Sequence, residues 1–306
     1  VLPISAIIID HDLNRSELLL EAIQSILNNT FLPSEILIIL DVPTHIFDFY
    51  LKKLENKEFL KKAPIEIKIK QNLHQKGPAG ARNTAVGLAK YNWLAFLDSD
   101  DLWHKEKLFY QWNFMQKRPH LKASHTKELW IKNNQIIPTP KRLEPGTGKF
   151  LIQAMRNCLI SMSSILIKKD VILELNGFDE KLSAAEDYDF WLRYLTKYPI
   201  GLVPDIDNHP PTIKRSGNWF QTSMTKNIDV YRMYSLLKLY KNYYNFLNFL
   251  EQKELTHQLE YRFKIIINQR KKYVFSEPVE KIYQEILKEI KTVEFNHLKI
   301  NMDFIK

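Results

Sequence analysis

Residues 93–103 read "WLAFLDSDDLW": an apolar run stops in Asp98, Asp100 and Asp101 and turns apolar again at Leu102. The run reads as a buried strand, and in an open α/β sheet ligands bind outside the carboxyl ends of the strands. Three carboxylates this close repel one another in a site of low dielectric and are costly unless a cation compensates them. Hard oxygen donors on a loop suit Mg²⁺ or Mn²⁺, which keep waters and complete their shell with substrate phosphates. The same residues also suit a plain structural job, with Asp98 and Ser99 ending a strand and Asp101 capping the next helix. Asp101 is assigned to the cap.

The neighbouring segments extend this strand into a sheet. "ISAIIID" (residues 4–10) and "SEILIILD" (34–41) are continuous apolar runs of buried parallel strands. Between them Leu18, Leu19, Ala22, Ile23, Ile26 and Leu27 recur at helical spacing, so the chain opens as a β-α-β unit. "APIEIKIKQN" (63–72) alternates as a half-exposed strand, "AGARNTAVGLAKY" (79–91) reads as a helix, and residues 104–119 as an amphipathic helix ended by Pro119. Four strands alternating with helices predict an open, mostly parallel α/β sheet flanked by helices. Over 123–145 the pattern changes, and "ELWIKNNQIIPTP" (128–140) reads as a hairpin turning at Asn133 and Asn134; a short strand at 164–167, a helix from Asp170 stopped at Asn176-Gly177, and a helix with an acidic start over 184–198 follow. Beyond about Phe220 the sequence is rich in Lys, Tyr and Leu with helical periodicity. The expected division is therefore 1–219, with halves of about 1–120 and 121–219, and a helical C-terminal extension over 220–306.

The chain is long enough for a full core, and its single cysteine, Cys158, excludes a disulfide framework and fits a reducing cytosol. Its 44 Lys and Arg against 35 Asp and Glu give a formal charge of +9, which suits nucleic acid, an anionic membrane or a phosphorylated substrate. No apolar run reaches the ~20 residues of a membrane-spanning helix, and the first residues lack a signal-peptide pattern, although the sequence starts at Val1 and not Met. A cytoplasmic location, at the inner face of the membrane, is the expectation.

Four segments in order resemble the family 2 glycosyltransferases of the GT-A fold: the opening β-α-β unit, "KGPAGARNTAVGLAK", "LAFLDSDDLWHKEKLFYQ" and "GFDEKLSAAEDYDFWLRYL". Each motif alone is weak; their order and spacing carry the resemblance, which spans about residues 4–198. It implies an inverting, metal-dependent enzyme that moves one sugar from a nucleotide-diphosphate sugar, UDP favoured, to a glycan, glycolipid, surface-polysaccharide or lipid-linked acceptor. Asp98 and Asp100 would hold Mn²⁺ or Mg²⁺, with Asp100 as direct ligand and Asp98 also facing the donor. Asp41 would meet the nucleobase, although the family's "D-D-G-S" is here "L-D-V-P-T". Arg82 and Asn83 match the donor-contacting helix, Asp187 the base that takes the acceptor's proton, and Glu186 a partner of sugar hydroxyls. Lys214 and Arg215, in "HPPTIKRSGNWFQ" (209–221), would reach the diphosphate, and His209 would be a further metal ligand. The first loop, "D-H-D-L-N" (10–14), departs from the family's "P-T-Y-N" by adding two acids. The "Q-x-x-R-W" of processive synthases is absent, which implies single-sugar transfer.

Two readings of other classes stand beside this one. A nucleotidyltransferase on a similar sheet would need a glycine-rich phosphate loop after the first strand, and "IIIDHDLN" offers none. A non-catalytic basic module would use the Lys- and Arg-rich helices around "NQRKKYVF" (268–275) to dock on a membrane surface or nucleic acid. Peripheral membrane contact through those helices is expected, and a nucleic-acid partner is not.

Overall fold

The computed structural model describes residues 1–217, 219, 225–272 and 274–292, with side chains up to 288. The first half runs β1 (Leu2–Asp10), α1 (Ser16–Leu27), β2 (Pro33–Leu40), α2 (Thr44–Glu55), α3 (Glu58–Lys61), β3 (Glu66–Gln71), α4 (Pro78–Leu88), β4 (Trp93–Asp98), β5 (Leu102–Trp103) and α5 (Lys107–Gln116). Next come β6 (Ala123–Thr126), β7 (Glu128–Lys132), β8 (Gln135–Ile137), α6 (Leu151–Arg156), β9 (Leu166–Lys168), α7 (Lys169–Glu174), α8 (Glu186–Lys197), β10 (Gly201–Val203) and β11 (Thr212–Ser216). Helices α9 (Ile228–Tyr243), α10 (Phe249–Lys272) and α11 (Glu277–Thr292) follow.

The main sheet has seven strands in the order β10-β6-β9-β4-β1-β2-β3, all parallel except β9. This is the mostly parallel α/β architecture expected. Ile4, Ile7 and Ile8 of β1 are fully buried because helices cover both faces. The chain leaves β1 towards β2 on one side, and β4 returns on the other, so the order reverses between β1 and β4. A crevice opens at such a reversal. Asp10 and Asp98 end the two strands that flank it, with Ile9 opposite Asp98 in register.

The 123–145 segment does more than form a hairpin. Its first strand, β6, joins the main sheet, while β7 and β8 pair around Asn133 and Asn134, which hold φ of 47° and 62°. Asn tolerates this left-handed backbone better than most residues. A second sheet, β5-β11-β7-β8, lies outside the sequence expectation. Its β5 is two residues long and β11, "TIKRS", is too polar to stand out by periodicity. Asp101 is therefore followed by the strand Leu102–Trp103 and does not start a helix: α5 begins only at Lys107, with no side-chain cap.

β6 also carries His125, which is fully buried. Its Nε2 meets the Gly146 carbonyl at 2.7 Å, so that nitrogen bears the proton, while Nδ1 is enclosed without a hydrogen-bond partner among the described residues. The ring stacks on Phe150 at 6.1 Å. Burial pushes the imidazole down to about 4, against the pull of the Gly146 carbonyl.

The helices after residue 225 do not stand apart. Val230, Leu236, Leu255, Leu259 and Ile286 belong to the same buried cluster as Leu151, Met155, Tyr188 and Phe190. Arg156 clamps Glu254 through two bonds of 2.8 and 2.6 Å, and buried Arg262 donates to the Arg156 carbonyl (2.9 Å) and pairs with Asp229 (2.5 Å). The residue at the expected boundary, Phe220, lies outside the described residues.

Candidate active site

The carboxyl ends of β1 and β4 open into a cavity of about 380 Å³, a size common for small-molecule sites. Asp10, Asp41, Asp98, Ser99 and Asp100 line one part of it, and Cys158, Glu186, Asp187 and Tyr188 another. Arg82 joins the two. It is buried, donates from Nη2 to Asp98 Oδ1 at 3.0 Å, and donates from Nη1 to Glu186 Oε1. Burial works against its charge, but the carboxylates of Glu186, Asp98 and Asp187 outweigh that and hold its pKa above the ordinary arginine value. Burial also pushes Glu186 up to about 7, opposed by Arg82 and aided by the charge of Asp187. Arg82 is thus an internal brace, where the sequence suggested a contact to base or phosphate.

The acidic loop is held from behind. Ser163 Oγ accepts from the Asp98 amide (3.0 Å) and donates to Asp101 Oδ2 (2.6 Å). Asp101 is buried; its Oδ1 accepts from the Arg215 amide (2.9 Å) and its Oδ2 lies 3.7 Å from Lys214 Nζ. It fastens β11 to the loop. Adjacent residues on a strand point to opposite faces, and Lys214 accordingly lines the cavity while Arg215 does not. Arg215 instead donates from Nε to the Asp100 carbonyl (2.6 Å) and pairs with Glu21. It secures the loop and is not placed to meet a diphosphate in the cavity.

Asp98 and Asp100 each keep one oxygen uncommitted. Asp98 Oδ1 is taken by Arg82 and Asp100 Oδ2 by Trp219 Nε1 (3.0 Å), while Asp98 Oδ2 and Asp100 Oδ1 accept nothing from the described residues. Among those residues no cluster of three His, Cys, Asp or Glu forms a ready-made metal cage. Two hard oxygens without a closed cage fit a cation that takes the rest of its shell from water and substrate phosphate. His209 does not join them. It is exposed at a turn, with Nδ1 2.8 Å from the Asp207 carbonyl, and does not line the cavity.

Asp41 lines the cavity and braces its rim, accepting from Asn72 Nδ2 (2.8 Å) and from the Gly77 amide (2.7 Å). Gly77 holds φ at 128°, a region that side chains rarely enter. Asn83 is elsewhere. It donates to the Phe178 carbonyl (2.9 Å) and Glu180 (2.7 Å) and accepts from the Phe178 amide (2.9 Å), fixing the turn before α8 rather than facing a donor. A helix places successive residues about 100° apart, so Arg82 and Asn83 serve different surfaces.

Asp187, half-buried on the first turn of α8, accepts from the Tyr188 amide (2.7 Å) and from Cys158 Sγ (3.5 Å). Burial and the Asp187 charge push the Cys158 thiol up, so it stays a protonated donor. Asp10, one of the added acids of the first loop, is buried with Ser99 Oγ on one oxygen (2.8 Å) and Tyr50 OH on the other. The other, Asp12, caps the short turn after β1 by accepting from the Asn14 amide (3.0 Å). Cys158, Ser183 and Arg232 line the cavity without having been marked in the sequence; isolated residues of these types carry no pattern that would have singled them out.

Comparison with known proteins gives the family. The model described as "Glycosyl transferase family 2" matches residues 13–160, and "Glycosyltransferase like family 2" matches 149–265. An uncharacterized glycosyltransferase of Methanocaldococcus jannaschii is 30% identical over 215 residues, 64% of this chain and 69% of that protein. The chain belongs to the family 2 glycosyltransferases. As a member of that family it is a transferase, and the nucleotidyltransferase and non-catalytic readings are set aside. The Escherichia coli glycosyltransferase WfgD, whose name gives UDP-Glc as donor and α-D-GlcNAc-diphosphoundecaprenol as acceptor, is 32% identical over 45% of this chain and 51% of its own. The chain spans about a third of the length of its Rickettsia relatives, 32% of each. The crystal structure of S. aureus TarS 1-349 superposes with a TM-score of 0.62 at 18% identity, covering 94% of this chain and 79% of that one, which shows a shared GT-A type fold. No described helix of this family 2 member is long and apolar enough to cross a membrane.

Proposed function

We propose that this family 2 glycosyltransferase transfers a single sugar, with inversion, from a nucleotide-diphosphate sugar, UDP favoured, to a lipid-linked or surface-glycan acceptor at the inner face of the membrane. The observation that carries the reading is the pairing across one cavity of the Asp98–Asp100 loop with Glu186–Asp187, joined by Arg82. Asp187 takes the proton from the acceptor hydroxyl as that oxygen attacks the anomeric carbon from the side opposite the diphosphate. Its carboxylate is held in place by the Tyr188 amide and the Cys158 thiol. Glu186 binds sugar hydroxyls beside it. Asp98 and Asp100 would hold Mn²⁺ or Mg²⁺, which supplies neutralisation of the charge building on the leaving diphosphate. Lys214, lining the same cavity, adds positive charge for that group. Asp41 lies on the rim where the nucleobase would rest. The UDP preference draws on the donor named for the E. coli relative.

Thermal melting tests this. Uridine diphosphate with Mn²⁺ should raise the melting temperature, by about 2.7 kcal/mol of added stability at a hundredfold excess over Kd, and Asp100→Asn should abolish the gain. An unchanged curve with uridine, guanosine and thymidine diphosphates alike refutes the donor assignment.

A further inference from the structure

The helices after residue 225 supply the cavity with a guanidinium that the roles above leave unused. Ile228 and Arg232 lie one turn apart on α9 and both line the cavity. The Arg232 guanidinium is 5.9 Å from the ring centroid of Tyr188, the residue after Asp187, and acts electrostatically on the Cys158 thiol that touches Asp187. It therefore stands beside the expected base. The residue is half-buried; its Nε is enclosed without a hydrogen-bond partner among the described residues, and the side chain makes no ion pair with any of them. The other cations of this region are matched: Arg82 has Asp98 and Glu186, Lys214 has Asp101, and Arg262 has Asp229.

A guanidinium nitrogen enclosed without a partner is costly, so something must hold it there. Arg262 pins the start of α9 through Asp229, and Ser183 Oγ donates to the Tyr231 hydroxyl (2.8 Å). The placement is built by the fold, and an anion brought by a ligand would complete it. Guanidinium donors match phosphate oxygens in a planar fork. The donor's diphosphate is served by the Asp98–Asp100 loop and Lys214, whereas Arg232 adjoins Asp187, to which the acceptor must come. We propose that Arg232 anchors a phosphate group of the acceptor, so that the acceptor is a saccharide carried on phosphate or diphosphate rather than a neutral glycan. This rests on the glycosyltransferase reading above.

The test titrates hexyl diphosphate, by calorimetry in excess Mg²⁺, into the full chain saturated with uridine diphosphate. Wild type should bind one equivalent. Arg232→Gln should weaken that binding about tenfold or more, the loss expected for a charge-assisted bond, and Arg232→Lys by less, while uridine diphosphate affinity stays within twofold. A melting curve for each variant confirms that it is folded. If uridine diphosphate affinity falls by the same factor, Arg232 serves the donor and the proposal is overturned. Equal binding of heptanoate overturns the phosphate class, and no binding of hexyl diphosphate to saturated wild type overturns the site. Failure of wild type to bind uridine, guanosine or thymidine diphosphate would instead overturn the donor reading; the hexyl diphosphate titration without nucleotide then decides on Arg232 by itself.

Discussion

One buried imidazole should contribute measurably to the acid sensitivity of the protein. His125 is enclosed between the Gly146 carbonyl and the Phe150 ring, and its Nδ1 has no acceptor among the described residues to receive a second proton's charge. In the unfolded chain the ring titrates near 6.5; in the fold, burial holds it down to about 4. Between those values the unfolded chain binds the proton and the native one does not, so stability falls as pH falls through the window and is fully present above 6.5. A change from 6.5 to about 4 is worth about 3 kcal/mol at ~1.4 kcal/mol per tenfold. Urea denaturation at pH 7 and at pH 4 measures it. His125→Gln keeps a donor for Gly146 but cannot titrate, so it should be less stable than wild type at pH 7 and lose about 3 kcal/mol less on going to pH 4. If both proteins lose the same amount, the buried neutral imidazole is not the cause.

Arg82→Met should cost roughly 3–5 kcal/mol in urea denaturation, since it strands two carboxylates, Asp98 and Glu186, that share one buried partner; a cost under 1 kcal/mol would refute the brace. Asp187→Asn should lower sugar transfer about a hundredfold or more with nucleotide affinity unchanged by calorimetry, and loss of affinity in parallel would remove it as the base. Gly177→Ala should destabilise by about 1–2 kcal/mol, because φ is 66° and the new Cβ would stand 2.6 Å from Asn83 Oδ1. Adding Asn83→Ala relieves the clash, so the double variant's melting temperature should lie above the sum of the two single losses.

The strands and the carboxylates at their ends were legible because burial on both faces leaves an unbroken apolar run, and a run that stops in acids marks the ligand side of the sheet. Asp41, Asp98, Asp100, Glu186 and Asp187 all reach one cavity. What the sequence could not resolve is which way each charged neighbour faces. Lys214 and Arg215 are adjacent and part company because a strand alternates; Arg82 and Asn83 part because a helix turns. His209 is lost to the site because the Ile206–His209 turn closes on itself. The Tyr50 bond to Asp10, the Cys158 bond to Asp187 and the arrival of Arg232 depend on contacts between residues 29 to 44 positions apart, and no local period records such contacts.

The position of Arg232 also bears on what the catalytic unit is. The sheet and its acids end at β11, yet the cavity wall is completed by Ile228 and Arg232 of α9. That helix is held by Arg262 of α10, which reaches back to the Arg156 carbonyl after α6, while Arg156 itself grips Glu254. The loop of interactions is closed: α6 places α10, α10 places α9, and α9 lines the cavity beside Asp187. Removing the helices would take away Leu236, Leu255 and Leu259 and expose the side chains clustered with them, including Met155 and Tyr188, the neighbour of Asp187. Helix α9 therefore forms part of the wall of the candidate site, and substitutions at Arg262 should disturb the proposed acceptor use while leaving the Asp98–Asp100 loop in place.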